Sequence, residues 1–99
     1  MHTQEIMRPK HTDRSLASFG QAVKAYRIAA GMTQEELAAA AELHPGYLGT
    51  VERGEKNISL MNIIAISKAL GVLPSELMMV LDVVVSKPVV QRKQQDTTS

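Results

Sequence analysis

Hydrophobic and polar residues along this chain follow the spacing of α-helices. Between residues 16 and 30, one helical face carries four apolar side chains at intervals of four, three and four: Phe19, Val23, Tyr26 and Ala30. Such a stripe predicts an amphipathic helix whose apolar face joins the core. Ser18 and Gln21 form a capping box near its start, and Gly31 is expected to end it.

Two shorter helices are predicted next, joined by a tight turn. Thr33 and Glu36 form a second capping box, and the alanine-rich run that follows favours a helix ending near Ala41. Pro45 is expected at the first position of a third helix, where its missing N–H costs no hydrogen bond, and that helix runs to about Arg53. Three residues are expected to pack where the two helices cross: Ala38, Leu48 and Val51.

The second half of the chain predicts two more helices. Ser59 is a good N-cap for a fourth helix with a broad apolar face, and Gly71 is expected to end it. Pro74 is expected at the first position of a fifth helix, which runs to about residues 82–84. Extended chain is favoured by the β-branched residues near the end: Val83, Val84, Val85, Val89 and Val90.

The two ends of the chain carry no helical stripe. Residues 1–15 mix basic and acidic side chains around Pro9, which predicts a flexible polar arm. Residues 86–99 predict a disordered polar tail. The expected architecture is therefore all-α, with a five-helix domain over residues 16–85 between this arm and the tail, ending in an apolar C-terminal extension.

Composition narrows the possible functions. The 99 residues carry 11 Lys and Arg against 10 Asp and Glu, so nucleic-acid binding would depend on where the charges lie rather than on their sum. The chain has no cysteine, which excludes disulfides and thiolate zinc sites and suits a cytoplasmic location. Three scattered histidines predict no metal site, and no nucleophile–base motif or phosphate loop predicts an enzyme or a cofactor. No apolar run approaches the roughly 20 residues of a membrane span.

Two helices joined by a tight turn inside a small all-α domain form a helix-turn-helix, predicted here over residues 33–53. The chain also contains four spaced segments within residues 19–77: Gly-x-Thr-Gln-Glu-Glu-Leu-Ala, Val-Glu-Arg-Gly, Asn-Ile-Ser-Leu and Ala-Leu-Gly-Val. Together they resemble the Cro/C1-type (XRE-type, lambda repressor-like) helix-turn-helix transcription regulators of phages and bacteria. The run from Tyr47 to Leu60 is also similar to the controller proteins of restriction–modification systems.

The resemblance implies roles for several residues. The third helix would be the recognition helix, lying in the major groove of double-stranded DNA. The residues expected to meet DNA are Gln34, His44, Pro45, Gly46, Tyr47, Thr50, Arg53 and Lys56, with Gln34 at the phosphate backbone. Arg27 and Glu52 would form a buried ion pair, so losing Arg27 should unfold the domain at a cost of roughly 3–5 kcal/mol. In the predicted arm, Arg8, Lys10 and Arg14 are further candidates for DNA contact.

The sequence departs from the family pattern at the turn and at the start of the recognition helix. Relatives often carry long polar residues at the positions of Pro45 and Gly46. Sequence recognition would therefore depend on DNA shape and on three nearby residues: His44, Tyr47 and Thr50. Gly46 and Gly49 would let the helix approach the duplex or a neighbouring helix closely. Glu42 replaces a glycine at a turn position that can need positive φ, so either the turn differs or strain of about 1–2 kcal/mol is carried.

The apolar run from Leu77 to Val85 needs a partner, and a two-fold homodimer would supply one. The expected interface residues are Leu77, Met78, Leu81 and Val84. The predicted function is sequence-specific transcription regulation by a DNA-bound homodimer, either as a repressor or as an autoregulator. Three alternatives stay open: a restriction–modification controller, an antitoxin, and a protein-interaction module that has lost DNA binding. A protein partner, such as a toxin or RNA polymerase, is a further expectation.

Overall fold

The structure, a computed structural model, describes residues 2–85, with side chains described from residue 14 onward. The described chain folds into six α-helices: α1 (His2–Ala29), α2 (Gln34–Ala40), α3 (Tyr47–Glu52), α4 (Leu60–Leu70), α5 (Pro74–Met78) and α6 (Leu81–Val85). No strand occurs within residues 2–85, which confirms the all-α prediction, although there is one helix more than expected. None of these helices is both long and apolar enough to cross a membrane.

The first helix begins much earlier than predicted. α1 runs without a break from His2, so the predicted flexible arm is wrong for the backbone of residues 2–15, and the predicted capping box lies inside the helix. An apolar stripe reports that one face is buried, and its absence does not prevent good helix formers such as Gln, Glu, Lys, Arg and Met from being helical. Pro9 removes one backbone donor within this helix. Only the backbone is described up to residue 13, so the DNA contacts of Arg8 and Lys10 stay predictions.

Side-chain caps hold the starts of α2 and α4, as the sequence predicted. Thr33 Oγ1 accepts the backbone N–H of Glu36 at 3.0 Å, and the Glu36 carboxylate accepts the N–H of Thr33 at 2.9 Å. Ser59 Oγ accepts the backbone N–H of Asn62 at 3.1 Å. Gly71 closes α4 with a φ of 74°, a left-handed conformation that favours glycine.

The third helix begins later than predicted. Its N-cap is Gly46, with a φ of 91°, and its first residue is Tyr47. The prediction that Pro45 occupies the first helical position is therefore wrong, because the chain turns through Gly46 after the proline. A side chain would be strained at this φ, so the glycine serves the backbone turn. The helix ends as predicted, just before Gly54.

The C-terminal residues form two short helices instead of one helix followed by extended chain. α5 begins at Pro74, as predicted, but ends at Met78. The extended conformation predicted for residues 83–85 is wrong, since these valines belong to α6. Packing of α6 against α1 overrides their intrinsic β-preference. The valines at 89 and 90 and the predicted tail, residues 86–99, lie outside the described residues.

The core lies between α1 and the α2–α3 pair and is closed by α4 and α5. Its buried apolar residues are Phe19, Val23, Leu37, Ala38, Ala41, Leu48, Val51, Ile63, Ile66 and Leu77. Burial of each Leu, Ile, Val or Phe side chain stabilises the fold by about 1.5–3 kcal/mol. Of the predicted inward face of the first helix, Phe19 and Val23 are buried, Tyr26 is half-buried and Ala30 is exposed. The core therefore fixes the helix pair that the sequence assigned to DNA binding.

Candidate nucleic-acid interface

The turn between α2 and α3 sets the angle at which the two helices meet. Ala38 is 1% exposed at this crossing, and its carbonyl accepts the backbone N–H of Leu43 at 2.8 Å. Within the turn, Glu42 has a φ of 59°. Of the two outcomes that the sequence allowed for Glu42, the structure has the left-handed turn, with strain on the order of 1–2 kcal/mol.

A close approach of α1 to α3 holds the far end of α3. A Cβ built on Gly20 would overlap the carbonyl oxygen of Val51 and would stand 2.7 Å from that of Glu52. A side chain therefore cannot fit at Gly20, and the backbones of the two helices lie directly against each other. This contact was not predicted from the sequence, where its only signal is a glycine inside a helical pattern.

A buried ion pair joins α1 to α3, at the residues that the family resemblance implied. Arg27 Nε donates to Glu52 Oε2 at 2.6 Å, and Arg27 Nη2 donates to Oε1 at 3.0 Å. The third guanidinium nitrogen, Nη1, donates to the carbonyl of Met32 at 2.9 Å. Gln34, the first residue of α2, donates from Nε2 to Glu52 Oε1 at 2.9 Å. The carboxylate of Glu52 thus ties three helical segments together and fixes the amide of Gln34.

These contacts keep both partners of the buried pair charged. Burial alone would raise the pKa of Glu52, but hydrogen bonds from Arg27 and Gln34 and the charge of Arg27 outweigh it, so the pKa is lowered from its ordinary value. The hydrogen bond to Glu52 raises the pKa of Arg27, despite its burial. The pair is therefore ionised at neutral pH, as a structural link requires.

Two polar side chains cover Gly49 in the middle of α3. A Cβ on Gly49 would stand 3.2 Å from Arg53 Nη1 and 3.4 Å from Gln34 Oε1. Arg53 is held in turn by Glu55, with Nε donating to Oε2 at 2.9 Å and Nη2 to Oε1 at 3.1 Å. The hydrogen bond from Arg53 lowers the pKa of the exposed Glu55 carboxyl. Because Gly49 has no side chain, the guanidinium of Arg53 can lie back along α3. Glu55 was not predicted from the sequence as the partner of Arg53.

Tyr47 connects the start of α3 to the start of α4. Its ring packs against the core, and its hydroxyl accepts a hydrogen bond from Asn62 Nδ2 at 3.0 Å. Thr50 Oγ1 donates to the carbonyl of Tyr47 at 2.6 Å, so its hydroxyl proton is used within the helix. The sequence analysis did not single out Asn62, because an asparagine in the first turn of a helix is common and carries no distinctive signal.

The other predicted contact residues lie in the segments flanking α3. His44, Pro45, Gly46 and Lys56 are exposed, and His44 Nδ1 lies 3.3 Å from the carbonyl oxygen of Pro45. Arg14, in the part of α1 preceding the contact with α3, is also exposed. The structure thus brings the predicted DNA contacts to the ends of α3 and the start of α2, around one helix.

The predicted dimer interface needs a correction. Leu77 is fully buried in the core of its own protomer, so its assignment to a dimer interface is wrong. Leu81 packs against the same core and Val84 is half-buried, while Met78 is exposed. The most exposed apolar side chains of this region are neighbours of the predicted ones: Met79 at 58%, Val83 at 83% and Val85 at 68%.

Comparison with known proteins gives matches to a family, to sequence relatives and to solved structures. Residues 23–77 match the family model described as helix-turn-helix. The control protein C.BamHI of Bacillus amyloliquefaciens is 49% identical over 61 residues, which cover 61% of this chain and 75% of the relative.

Two solved structures of regulatory proteins are also similar to this chain. The restriction-modification controller protein C.AhdI from Aeromonas hydrophila is 45% identical, with a TM-score of 0.62, and the match covers 63% of this chain and 94% of that chain. The clp gene regulator ClgR from Corynebacterium glutamicum is 29% identical, with a TM-score of 0.66, covering 72% of this chain and 77% of that chain. The chain therefore belongs to the Cro/C1 (XRE) type of helix-turn-helix DNA-binding transcription regulators.

Proposed function

We propose that this chain is the controller protein of a restriction–modification system and binds its operator as a homodimer. The observation that carries the proposal is the extent of the likeness to C.AhdI, 94% of which is covered at 45% identity. The likeness to the control protein C.BamHI, at 49% identity, supports the same role. Since the target is the cell's own DNA, the proposed location is the cytoplasm.

In the proposed complex, α3 lies in the major groove and the side chains around it divide into two groups. Base contact is assigned to His44, in the turn before α3, and to Thr50 within α3, where the methyl group of Thr50 can touch a thymine. Phosphate contact is assigned to Arg53 and Lys56 after the helix and to Gln34 before it. Glu52 supports Gln34, because it fixes one N–H of the amide and leaves the other free to donate.

The proposed homodimer uses the exposed apolar surface of the C-terminal helices. Met79, Val83 and Val85 are exposed there, next to the half-buried Val84. Exposed apolar side chains gathered in one short segment favour its use as an interface. A two-fold dimer would place two recognition helices about 34 Å apart, one turn of DNA.

The proposal is tested by measuring the affinity for a random-sequence duplex over a series of salt concentrations. Wild-type protein should bind, and the logarithm of the binding constant should fall linearly with the logarithm of salt concentration. Lys56→Ala should reduce this slope by about 0.9 if Lys56 neutralises one phosphate. Lys68→Ala is the matched control, because Lys68 is an exposed lysine in the last turn of α4.

The controller role itself is tested by selecting bound fragments from the source genome. The selected fragments should include DNA upstream of the gene for this chain and of genes for a restriction enzyme and its methyltransferase. Selection of sites beside unrelated genes would contradict the controller role while leaving DNA binding intact. If the protein binds no duplex in a mobility-shift assay at low salt, the proposal that this chain binds DNA is contradicted.

A further inference from the structure

The inference concerns the hydroxyl group of Tyr47, which lies apart from the rest of the α3 surface. Tyr47 is the first residue of α3, but its hydroxyl reaches Asn62, in the first turn of α4. The side chains that cover the middle of α3, Arg53 and Gln34, lie over Gly49 instead. The hydroxyl is therefore at the side of α3, beside α4, and away from the part of α3 that would lie deepest in a groove.

The hydrogen bond from Asn62 decides what this hydroxyl can still do. A tyrosine hydroxyl has one proton to donate and two lone pairs that accept. Asn62 Nδ2 donates to the oxygen at 3.0 Å and so uses an acceptor position. Among the residues whose side chains are described, no acceptor takes the hydroxyl proton. Within residues 14–85, then, nothing prevents this proton from being donated to a molecule outside the protein.

Asn62 is held firmly enough to orient its partner. Its backbone N–H donates to Ser59 Oγ at 3.1 Å, which fixes the first turn of α4. At the other end, the ring of Tyr47 packs against the core, and its backbone N–H donates to the carbonyl of His44 at 3.0 Å. Both residues are thus anchored by their backbones, and the hydrogen bond between their side chains sets the rotation of the hydroxyl.

We propose that Asn62 is a positioning residue for DNA binding: it holds the hydroxyl of Tyr47 so that its proton is donated to a phosphate oxygen of the duplex. The proposal rests on the proposed function, because it needs α3 to lie in the groove. Beside the groove the acceptors are backbone phosphates, which receive much of the hydrogen bonding in protein–DNA complexes. A hydrogen bond to a charged acceptor is also stronger than one to a neutral base edge.

The test is a double-mutant cycle with Tyr47→Phe, Asn62→Ala and the double variant. The affinity for a random-sequence duplex is measured at several salt concentrations. Tyr47→Phe keeps the ring and should weaken binding by about tenfold, as expected for a lost hydrogen bond to a charged group. Because the hydroxyl is neutral, the salt slope should stay unchanged, unlike the change expected for Lys56→Ala.

Asn62→Ala separates positioning from a merely structural role. If Asn62 acts through Tyr47, Asn62→Ala weakens binding in the wild-type background by at least threefold and has no further effect in the Tyr47→Phe background. Thermal unfolding of each variant, recorded without DNA, verifies that the protein is folded at the temperature of the binding measurement. If the Tyr47–Asn62 hydrogen bond only braces α3 against α4 and does not touch DNA, both substitutions should lower the unfolding temperature and leave the affinity unchanged.

Other results would overturn the proposal without touching the proposed function. If both variants bind random DNA as tightly as wild type does, the hydroxyl donates to no phosphate. A loss confined to a selected genomic site would show that its acceptor is a base. Additive losses in the cycle would show that Asn62 and Tyr47 act independently. A failure of wild-type protein to bind any duplex would instead remove the proposed function itself.

Discussion

Arg53 Nη1 lies 3.2 Å from the position that a Cβ on Gly49 would occupy, one helical turn earlier in α3. Nearby, Glu55 holds the same guanidinium by two hydrogen bonds. The glycine and the glutamate together determine where the charge of Arg53 lies. The absence of a side chain at Gly49 is therefore explained by a neighbouring arginine, in addition to any close approach of DNA.

Gly49→Ala tests this explanation. Alanine is the better helix former by about 1 kcal/mol, and the methyl group would meet only the tips of two flexible side chains. We expect the free energy of unfolding to rise by up to about 1 kcal/mol, while DNA affinity falls because the Arg53 guanidinium is displaced. Denaturant unfolding and a mobility shift measure the two effects. A gain in stability with unchanged affinity would show that the position of Arg53 does not matter for binding.

The buried ion pair predicts how stability depends on pH. The pKa of Glu52 is lowered in the folded protein, so the unfolded state takes up a proton first as the solution is acidified. The stabilisation from Glu52 is therefore complete above the ordinary glutamate pKa of about 4.3 and is lost as the pH falls through the folded-state pKa. The free energy of unfolding should therefore decrease as the pH is lowered from 7 to 3.

Two substitutions test whether Glu52 causes this pH dependence. Glu52→Gln should destabilise the protein at pH 7, because it leaves Arg27 buried without a counter-ion, and should flatten the acid branch of the stability curve. Glu35→Gln removes an exposed carboxylate in the first turn of α2 and is the matched control. An acid branch that is unchanged in Glu52→Gln would show that other carboxylates are responsible for it.

Features with a local cause could be predicted from the sequence. The capping box of α2 and the N-cap of α4 depend on residues three apart, and both were predicted correctly. The Arg27–Glu52 pair links residues 25 positions apart, and only the resemblance to a family indicated it. Periodicity alone could not have paired these two residues, because it reports which face is buried and not which residues meet.

Features that depend on long-range packing could not be predicted. The valines of α6 favour extended chain in isolation, but their helix packs against α1. Leu77 was assigned to a dimer interface because its run is apolar, although it fills the core of its own protomer. The polar start of α1 has no stripe to reveal a helix. For the valines of α6 and for Leu77, the missing information was the identity of the neighbour.

Gly20 offers a direct test of the contact between α1 and α3. In Gly20→Ala, the new methyl group would overlap the backbone carbonyl of Val51, which cannot rotate away. We expect a loss of at least 1–3 kcal/mol in the free energy of unfolding, the usual range of overpacking. Gln21→Ala, at an exposed position of the same helix, should change it by less than about 0.5 kcal/mol. Equal stabilities in these two variants would mean that α1 and α3 are further apart than described.

Replacing Glu42 by glycine should stabilise the protein. The residue has a φ of 59°, a conformation that costs a side chain about 1–2 kcal/mol, while glycine loses about 0.5–1 kcal/mol in chain entropy. Glu42→Gly should therefore stabilise the protein by about 0.5–1 kcal/mol, measured by denaturant unfolding. Glu42→Ala keeps a Cβ in the strained conformation and should give no such gain. If alanine stabilises as much as glycine, the effect comes from the lost carboxylate and not from the backbone.

Introducing one charged side chain on the exposed surface of α6 tests the proposed homodimer. Val83 is 83% exposed, so Val83→Glu should leave the folded protomer intact. In the proposed interface, the carboxylate would be buried without a partner, at a cost of several kcal/mol for each subunit. Light scattering on a sizing column should therefore show a dimer for wild type and a monomer for this variant at the same concentration.

Leu60→Glu is the matched control, because Leu60 is 70% exposed at the start of α4, outside the C-terminal helices. This variant should remain dimeric. In the two-fold model, a monomer occupies one half-site at a time, so Val83→Glu should also bind a selected operator far more weakly than wild type does. A Val83→Glu protein that stays dimeric would place the interface elsewhere. A wild-type protein that is monomeric when bound to its operator would rule out recognition by paired helices.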